Sequence, residues 1–192
     1  MLNTAISSLD EHEKALQIWQ PSMQQQLFKG LMQSFSYPGK IITIAQQPAL
    51  MAVVATLVDQ GITFSDPAHQ LDALFTQRIG CRLCPPSEAA FLLCKGLTSP
   101  DFIPNLGSLE CPEAGATIIV SVDSLSKGTP YRLRGPGIQD TLTLQVSGLD
   151  TAWIKAHQKW RTHYPMGADL ILVTEDSWVA LPRTLIIMEE TR

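Results

Sequence analysis

The spacing of apolar residues changes from helical to strand-like along the chain. From Ser22 onward, Met23, Leu27, Leu31, Met32 and Phe35 recur mostly at three- and four-residue intervals, which predicts a helix with Ser22 as N-cap after Pro21. Tyr37-Pro38-Gly39 ends it, because the residue before proline is pushed out of the helical region and glycine accepts positive φ. A strand over 40–45 is expected next, then a helix from Pro48 through Val58 closed by Gly61, and a short strand over 62–64. Asp66-Pro67 is read as the start of a third helix, with apolar positions Leu71, Ala73, Leu74 and Phe75, running toward Arg78 and stopped by Gly80. The polar stretch 1–20 reads as an arm that packs through Leu16, Ile18 and Trp19.

The second half is richer in strands. Short strands fit 81–84 and 89–94, followed by a loop with one helical turn near 101–106. Residues 117–122 form a nearly continuous β-branched run, as expected of a strand covered on both faces, whereas Tyr131 to Arg134 alternates like a half-exposed strand. Leu142 to Val146 is similar. Asp150 caps a helix through His157 and Trp160, stopped by Pro165 and Gly167. Residues 169–173 and 178–181 then form a hairpin through Glu175-Asp176, and 185–188 is a last strand. Helices early and strands late, with continuous and alternating runs mixed, predict an α/β domain over 1–192 with one mixed sheet covered by helices.

Composition narrows the function classes. The 192 residues are 45% apolar and carry 14 Lys+Arg against 18 Asp+Glu, a formal charge of -4, so nothing in the balance draws the chain to nucleic acid or anionic lipid. The opening residues include Asp10, Glu11 and Glu13 and lack the basic start and apolar core of a secretory signal, which points to the cytoplasm. Apolar stretches such as 50–58 are too short to span a membrane.

Three groups of residues carry candidate chemistry. Cys81-Arg82-Leu83-Cys84 has the spacing of a zinc half-site, but Cys94 and Cys111 are separated by sixteen residues, so core thiols fit better than a four-thiolate site. Arg132 and Arg134, two apart on one strand, present guanidinium forks to the same side, with Lys127 on the preceding segment and Gly135-Pro136-Gly137 after it. That arrangement suits a phosphate or phosphonate, but a solvated strand face with a glycine-proline turn fits better. His163, Asp169 and Arg183 are residue types used for acid-base work and anion binding on loops that the hairpin could bring together; the alternative is an Asp capping turn amides with an Arg paired to it. No recognised nucleotide-binding or hydrolase motif is present.

Five ordered segments carry a family resemblance: Phe28-Lys29-Gly30-Leu31-Met32 through Tyr37-Pro38-Gly39; Cys111-Pro112-Glu113-Ala114-Gly115-Ala116-Thr117; Arg132-Leu133-Arg134-Gly135-Pro136-Gly137-Ile138; Tyr164-Pro165-Met166-Gly167-Ala168-Asp169-Leu170-Ile171-Leu172; and Leu181-Pro182-Arg183-Thr184. Together they resemble the H subunit of the carbon-phosphorus lyase system over nearly the full length. The resemblance implies a cytoplasmic bacterial subunit used in organophosphonate catabolism under phosphate starvation. It implies a homodimer that works with G, I and J subunits in a core complex forming a ribose 1-phosphonate 5-triphosphate from ATP and a phosphonate. It also implies a three-layer fold like the large domain of pyridoxal-phosphate-dependent transferases, without the cofactor, and an accessory role with no independent active site. Phe28, Phe35 and Tyr37 are candidate dimer contacts and equally candidate core residues. The rival reading is a stand-alone phosphate-, phosphonate- or nucleotide-binding enzyme with an anion pocket lined by Arg132, Arg134 and Arg183, with Lys127, His163 and Asp169 beside it.

Overall fold

A computed structural model describes residues 17–45, 48–161 and 163–190. In chain order the elements are α1 (Pro21–Ser36), β1 (Ile42–Thr43), α2 (Ala49–Leu57), β2 (Thr63–Ser65), α3 (Ala73–Ile79), β3 (Arg82–Leu83), β4 (Phe91–Lys95), a 3-10 turn (Pro112–Ala114), β5 (Thr117–Ser121), β6 (Ser124–Arg134), β7 (Leu142–Ser147), α4 (Thr151–Trp160), β8 (Asp169–Val173), β9 (Ser177–Leu181) and β10 (Ile186–Glu189).

The α/β expectation is met, but the strands form two sheets rather than one. A seven-stranded mixed sheet runs β1-β9-β8-β5-β4-β2-β3, and a separate antiparallel sheet runs β10-β6-β7. β3, β2, β4, β5 and β8 are parallel neighbours, while the β8–β9 hairpin and β1 add antiparallel partners at one side. Consecutive residues of the central strands face opposite ways into two cores. Leu93, Ile119 and Ile171 meet α1, α2 and α3 through Leu27, Leu31, Val53, Val54 and Phe75. Leu92, Ile118, Val120, Leu170 and Leu172 meet Tyr131, Leu133, Leu144, Val146 and Ile187 of the small sheet, together with Trp153 and Trp160 of α4. α1, α2 and α3 therefore cover one face of the large sheet, while the other is covered by the small sheet and a single helix, α4. The one-sheet expectation failed because β6, β7 and β10 alternate apolar and polar residues like any half-exposed strand, and period alone does not say which sheet a strand joins.

Several boundaries differ from expectation for local reasons. Pro21 itself opens α1 at its first helical position, with Gln20 before it and no side-chain cap, so Ser22 lies inside the first turn. α2 gives way at Val58 in extended conformation, ahead of Gly61. The cap of α3 lies six residues beyond Asp66, because Asp72 Oδ1 accepts the Phe75 N–H at 2.7 Å; Asp66 Oδ2 instead accepts from Leu71 N at 2.9 Å and closes the preceding turn. The short helix falls at 112–114, not 101–106. Asp150 caps α4 as expected, its Oδ1 accepting from Ala152 N at 2.8 Å. Of the arm, Leu16 and the residues before it lie outside the described residues, whereas Ile18 is fully buried and the Trp19 ring lies 6.0 Å from that of Phe75.

α1 is locked to the large sheet by one polar contact across 146 residues of sequence. β1 covers β9 only at Trp178 and Ser177, leaving the Ala180 amide beyond its end, and fully buried Ser34 of α1 accepts that N–H at 2.7 Å. Replacing Ser34 with Ala leaves a buried amide unpaired. The expected loss in urea unfolding is about 1–3 kcal/mol with unchanged m-value; a loss near zero would mean another acceptor reaches that amide.

Candidate functional site

Arg183, just past the end of β9, gathers segments that are far apart in sequence. Its backbone N–H donates to Asp169 Oδ1 at 2.7 Å and its Nη2 to Asp169 Oδ2 at 2.6 Å, while Nη1 reaches the Pro112 carbonyl at 2.8 Å and Nη2 the Gly115 carbonyl at 3.3 Å. Both side chains of the pair are largely shielded, at 13% and 16% exposure, so the fork works in a low-dielectric surrounding where ionised donors and acceptors bond most strongly. The segments 111–117, 164–169 and 181–184 therefore meet at one clamp. Gly115 must lack a side chain there, since a Cβ would run into the Gly167 carbonyl and the Arg183 guanidinium.

The other cations chosen from the sequence are not drawn into this clamp. Arg132 and Arg134 do share the outer face of β6, alternating with buried Tyr131 and Leu133. Arg132 donates from Nε to Glu190 Oε1 at 2.8 Å and forms an ion pair with it through Nη2. Arg134 sits opposite Ile186 in the ladder, is exposed, and forms no ion pair among the described residues. Lys127 is exposed on the irregular stretch of β6 between its Ser124 and Thr129 pairings, and His163 is exposed in the turn after α4. Of the six candidates, Arg183 and Asp169 are in contact, and the bonds of Arg183 are directed inward at the protein's own backbone and carboxylate.

The thiols are dispersed. Cys81 packs with the helical-face core and Cys84 with the opposite core, so the C-x2-C spacing splits across the sheet. Cys94 is buried, which pushes its thiol up to about 12, and Cys111 is exposed. Among the described residues no group of three or more His, Cys, Asp or Glu side chains is placed to hold a metal ion. Every described lysine (Lys29, Lys40, Lys95, Lys127, Lys155, Lys159) is exposed, so none sits at the base of a cavity as a Schiff-base lysine does.

His157 was not singled out by sequence reasoning, which placed it only as one more residue of a helix. It is fully buried on the inner side of α4, neither ring nitrogen meets hydrogen-bond geometry, and the Leu181 and Pro182 backbone and the Asp169 carboxylate lie within electrostatic reach. Its position one turn from Trp153 and Trp160 on the apolar face was the available signal. Burial pushes its pKa down to about 4; the charge on Asp169 opposes that shift without cancelling it. The loop 96–116 is anchored nearby, with Trp153 Nε1 donating to the Thr98 carbonyl at 2.9 Å and Phe102 packed 6.3 Å from both the Trp153 and the Trp160 ring, which are themselves 6.5 Å apart.

Two predictions follow from this region. Arg183→Lys keeps the charge but loses the planar fork, and Asp169→Asn removes the carboxylate; either lowers unfolding free energy by about 3 kcal/mol. Retention of wild-type stability by Arg183→Lys in chemical denaturation would show that the fork is dispensable. For His157 the folded value lies below the ordinary 6.5, so between those values the unfolded chain binds a proton that the folded chain does not. Stability is thus complete above pH 6.5 and declines as pH falls toward 4, by up to about 3 kcal/mol. In His157→Gln the slope of unfolding free energy against pH over this window should flatten, whatever its absolute stability; an unchanged slope would assign the acid sensitivity elsewhere.

Comparison with known proteins places this architecture. Residues 17–188 match the family model described as bacterial phosphonate metabolism protein (PhnH). A putative C-P lyase subunit protein, HtxG of Stutzerimonas stutzeri, is 41% identical over 186 residues, covering 96% of this chain and 95% of its own. The PhnH subunit of alpha-D-ribose 1-methylphosphonate 5-triphosphate synthase from Rhizobium meliloti (strain 1021) is 29% identical over 181 residues, covering 86% of this chain and 90% of its own. The segments joined at the Arg183 clamp are among those that carried the resemblance, and with a match over nearly the whole chain they make this protein a member of the PhnH family.

Proposed function

We propose that the chain is an accessory subunit of the carbon-phosphorus lyase core complex in organophosphonate catabolism. In this reading it works in the cytoplasm as a homodimer with G, I and J subunits, and supports formation of a ribose 1-phosphonate 5-triphosphate from ATP and a phosphonate. The observation that carries it is the family match over 17–188, joined to two relatives named as a C-P lyase subunit and as a subunit of the methylphosphonate triphosphate synthase. The geometry agrees with an accessory role. Arg183 is tied inward to Asp169 and two carbonyls and Arg132 to Glu190, so the arginine-lined pocket of the rival reading is not favoured. Exposed Phe28 and Tyr37 are available to a subunit contact, while Phe35 packs with the helical-face core. We read the fold as a relative of the pyridoxal-phosphate transferase large domain working without that cofactor; the three layers and the exposed lysines support this.

A tagged chain recovered from phosphate-starved cells should bring down other subunits of the phosphonate system, identified by mass spectrometry. The purified chain alone should give no measurable heat with ATP or methylphosphonate. Micromolar binding of either ligand by the isolated chain, without copurifying subunits, would replace the accessory reading with the stand-alone one.

A further inference from the structure

The antiparallel side of the large sheet ends at β1, a strand of only two residues, and α1 runs beside that edge. Between them is a groove of about 400 Å³ lined by Gln26, Lys29, Gly30 and Gln33 of α1, by 42–44 of the edge segment, and by Trp178. The three long polar side chains lie on one helical face, at spacings of three and four residues. Gly30 lets that face come close, because a Cβ there would stand 2.9 Å from Trp178 Cζ2 and 3.3 Å from Ile42 Cγ2.

Three features of the groove select its occupant. Ile42 pairs with Trp178, and the Ile44 N–H donates to the Asp176 carbonyl at 2.9 Å, so strand alternation turns the N–H and C=O of Thr43 away from β9, toward the open edge. An edge whose donor and acceptor are unpaired among the described residues is a template for another extended chain. The Trp178 side chain is 1% exposed, and its indole Nε1–H finds no acceptor among the described residues although the ring lines the groove. Nε1 itself is closed to solvent, so the indole serves the groove as an apolar floor. Lys29 is the one charged residue in α1 and forms no ion pair among the described residues, so the groove carries a positive charge with no negative one in its lining.

We propose that this groove binds an extended, acidic peptide segment of a partner subunit, added as a strand to the Thr43 edge with an Asp or Glu side chain on Lys29. Gln26 and Gln33 are seven residues apart, about 10 Å along the helix, which brackets about three residues of extended chain. A free anion would satisfy Lys29 alone; a strand also uses Thr43 and the polar rim. The proposal rests on the reading of the chain as a complex subunit and adds where a partner docks and with what chemistry.

The test uses the full chain expressed with the other subunits of its phosphonate system and purified as the assembled complex. A photo-crosslinking benzoylphenylalanine at Thr43, and separately at Gln26, should capture a partner subunit at a segment carrying Asp or Glu within three residues of the crosslink. Lys29→Glu should cut the crosslink yield about tenfold, the size of effect that a 1.4 kcal/mol weakening produces, with the melting temperature kept within a few degrees of wild type. Wild-type copurification with no crosslink from either position overturns the groove proposal and leaves the subunit reading intact. So does a crosslink to a second copy of this chain, a crosslink to a segment without acidic residues, or an undiminished yield in Lys29→Glu. Failure of the wild-type chain to copurify overturns both.

Discussion

The large sheet is buried on both faces, and most of the chain's other features answer to that. Water reaches neither side of the middle of β4, β5 or β8, so the central residues of these strands are apolar in succession and their backbone groups must be satisfied within the ladder. Two unlike layers supply the cover. α1, α2 and α3 lie on one face; β6, β7, β10 and α4 lie on the other. Charged residues are excluded from the middle of this sandwich and collect where elements begin and end, which is where Asp66, Asp72, Asp150, Asp169 and Arg183 are found. Their bonds are correspondingly local caps or clamps between chain segments.

This division explains what could be read from the sequence. β5 announces itself through Ile118, Ile119 and Val120, because burial on both faces leaves no polar position in the run. α4 is equally plain, with Asp150 before it and Trp153, Ile154, His157 and Trp160 on one side. What period cannot carry is partnership. Tyr131 and Leu133 report a buried face without saying whether the strand belongs to the main sheet or lies against it, and the clamp of Arg183 on Pro112 and Gly115 spans about seventy residues. The pairing of Arg183 with Asp169 was among the sequence-based alternatives because both flank strands of one hairpin; its reach to the 112–115 carbonyls was not. Edge-strand length was also hidden. β1 shrinks to two residues because α1 crosses the end of the sheet and Ser34 replaces the next rung of the ladder.

The family resemblance acquires a physical meaning in this frame. The segments that carried it are largely joints between layers. Tyr37-Pro38-Gly39 lies against the Gly137 turn, where an added Cβ would strike the Ser36 carbonyl and Pro38, and the other segments meet at Arg183. Fixing how the layers meet preserves the shape of the surfaces that the layers present.

The Ser34 contact also has a consequence for the order of events during synthesis. The strand that receives α1 is β9, which leaves the ribosome roughly 7–30 s after the helix does at 5–20 residues per second. Until then Leu27 and Leu31 have no complete sheet to rest on, and the small sheet lacks β10, whose residues are later still. Neither core can close on a partial chain. A nascent chain of this architecture therefore carries unburied apolar surface until β9 and β10 have emerged, and closure of both cores waits for those two late strands rather than for any earlier segment.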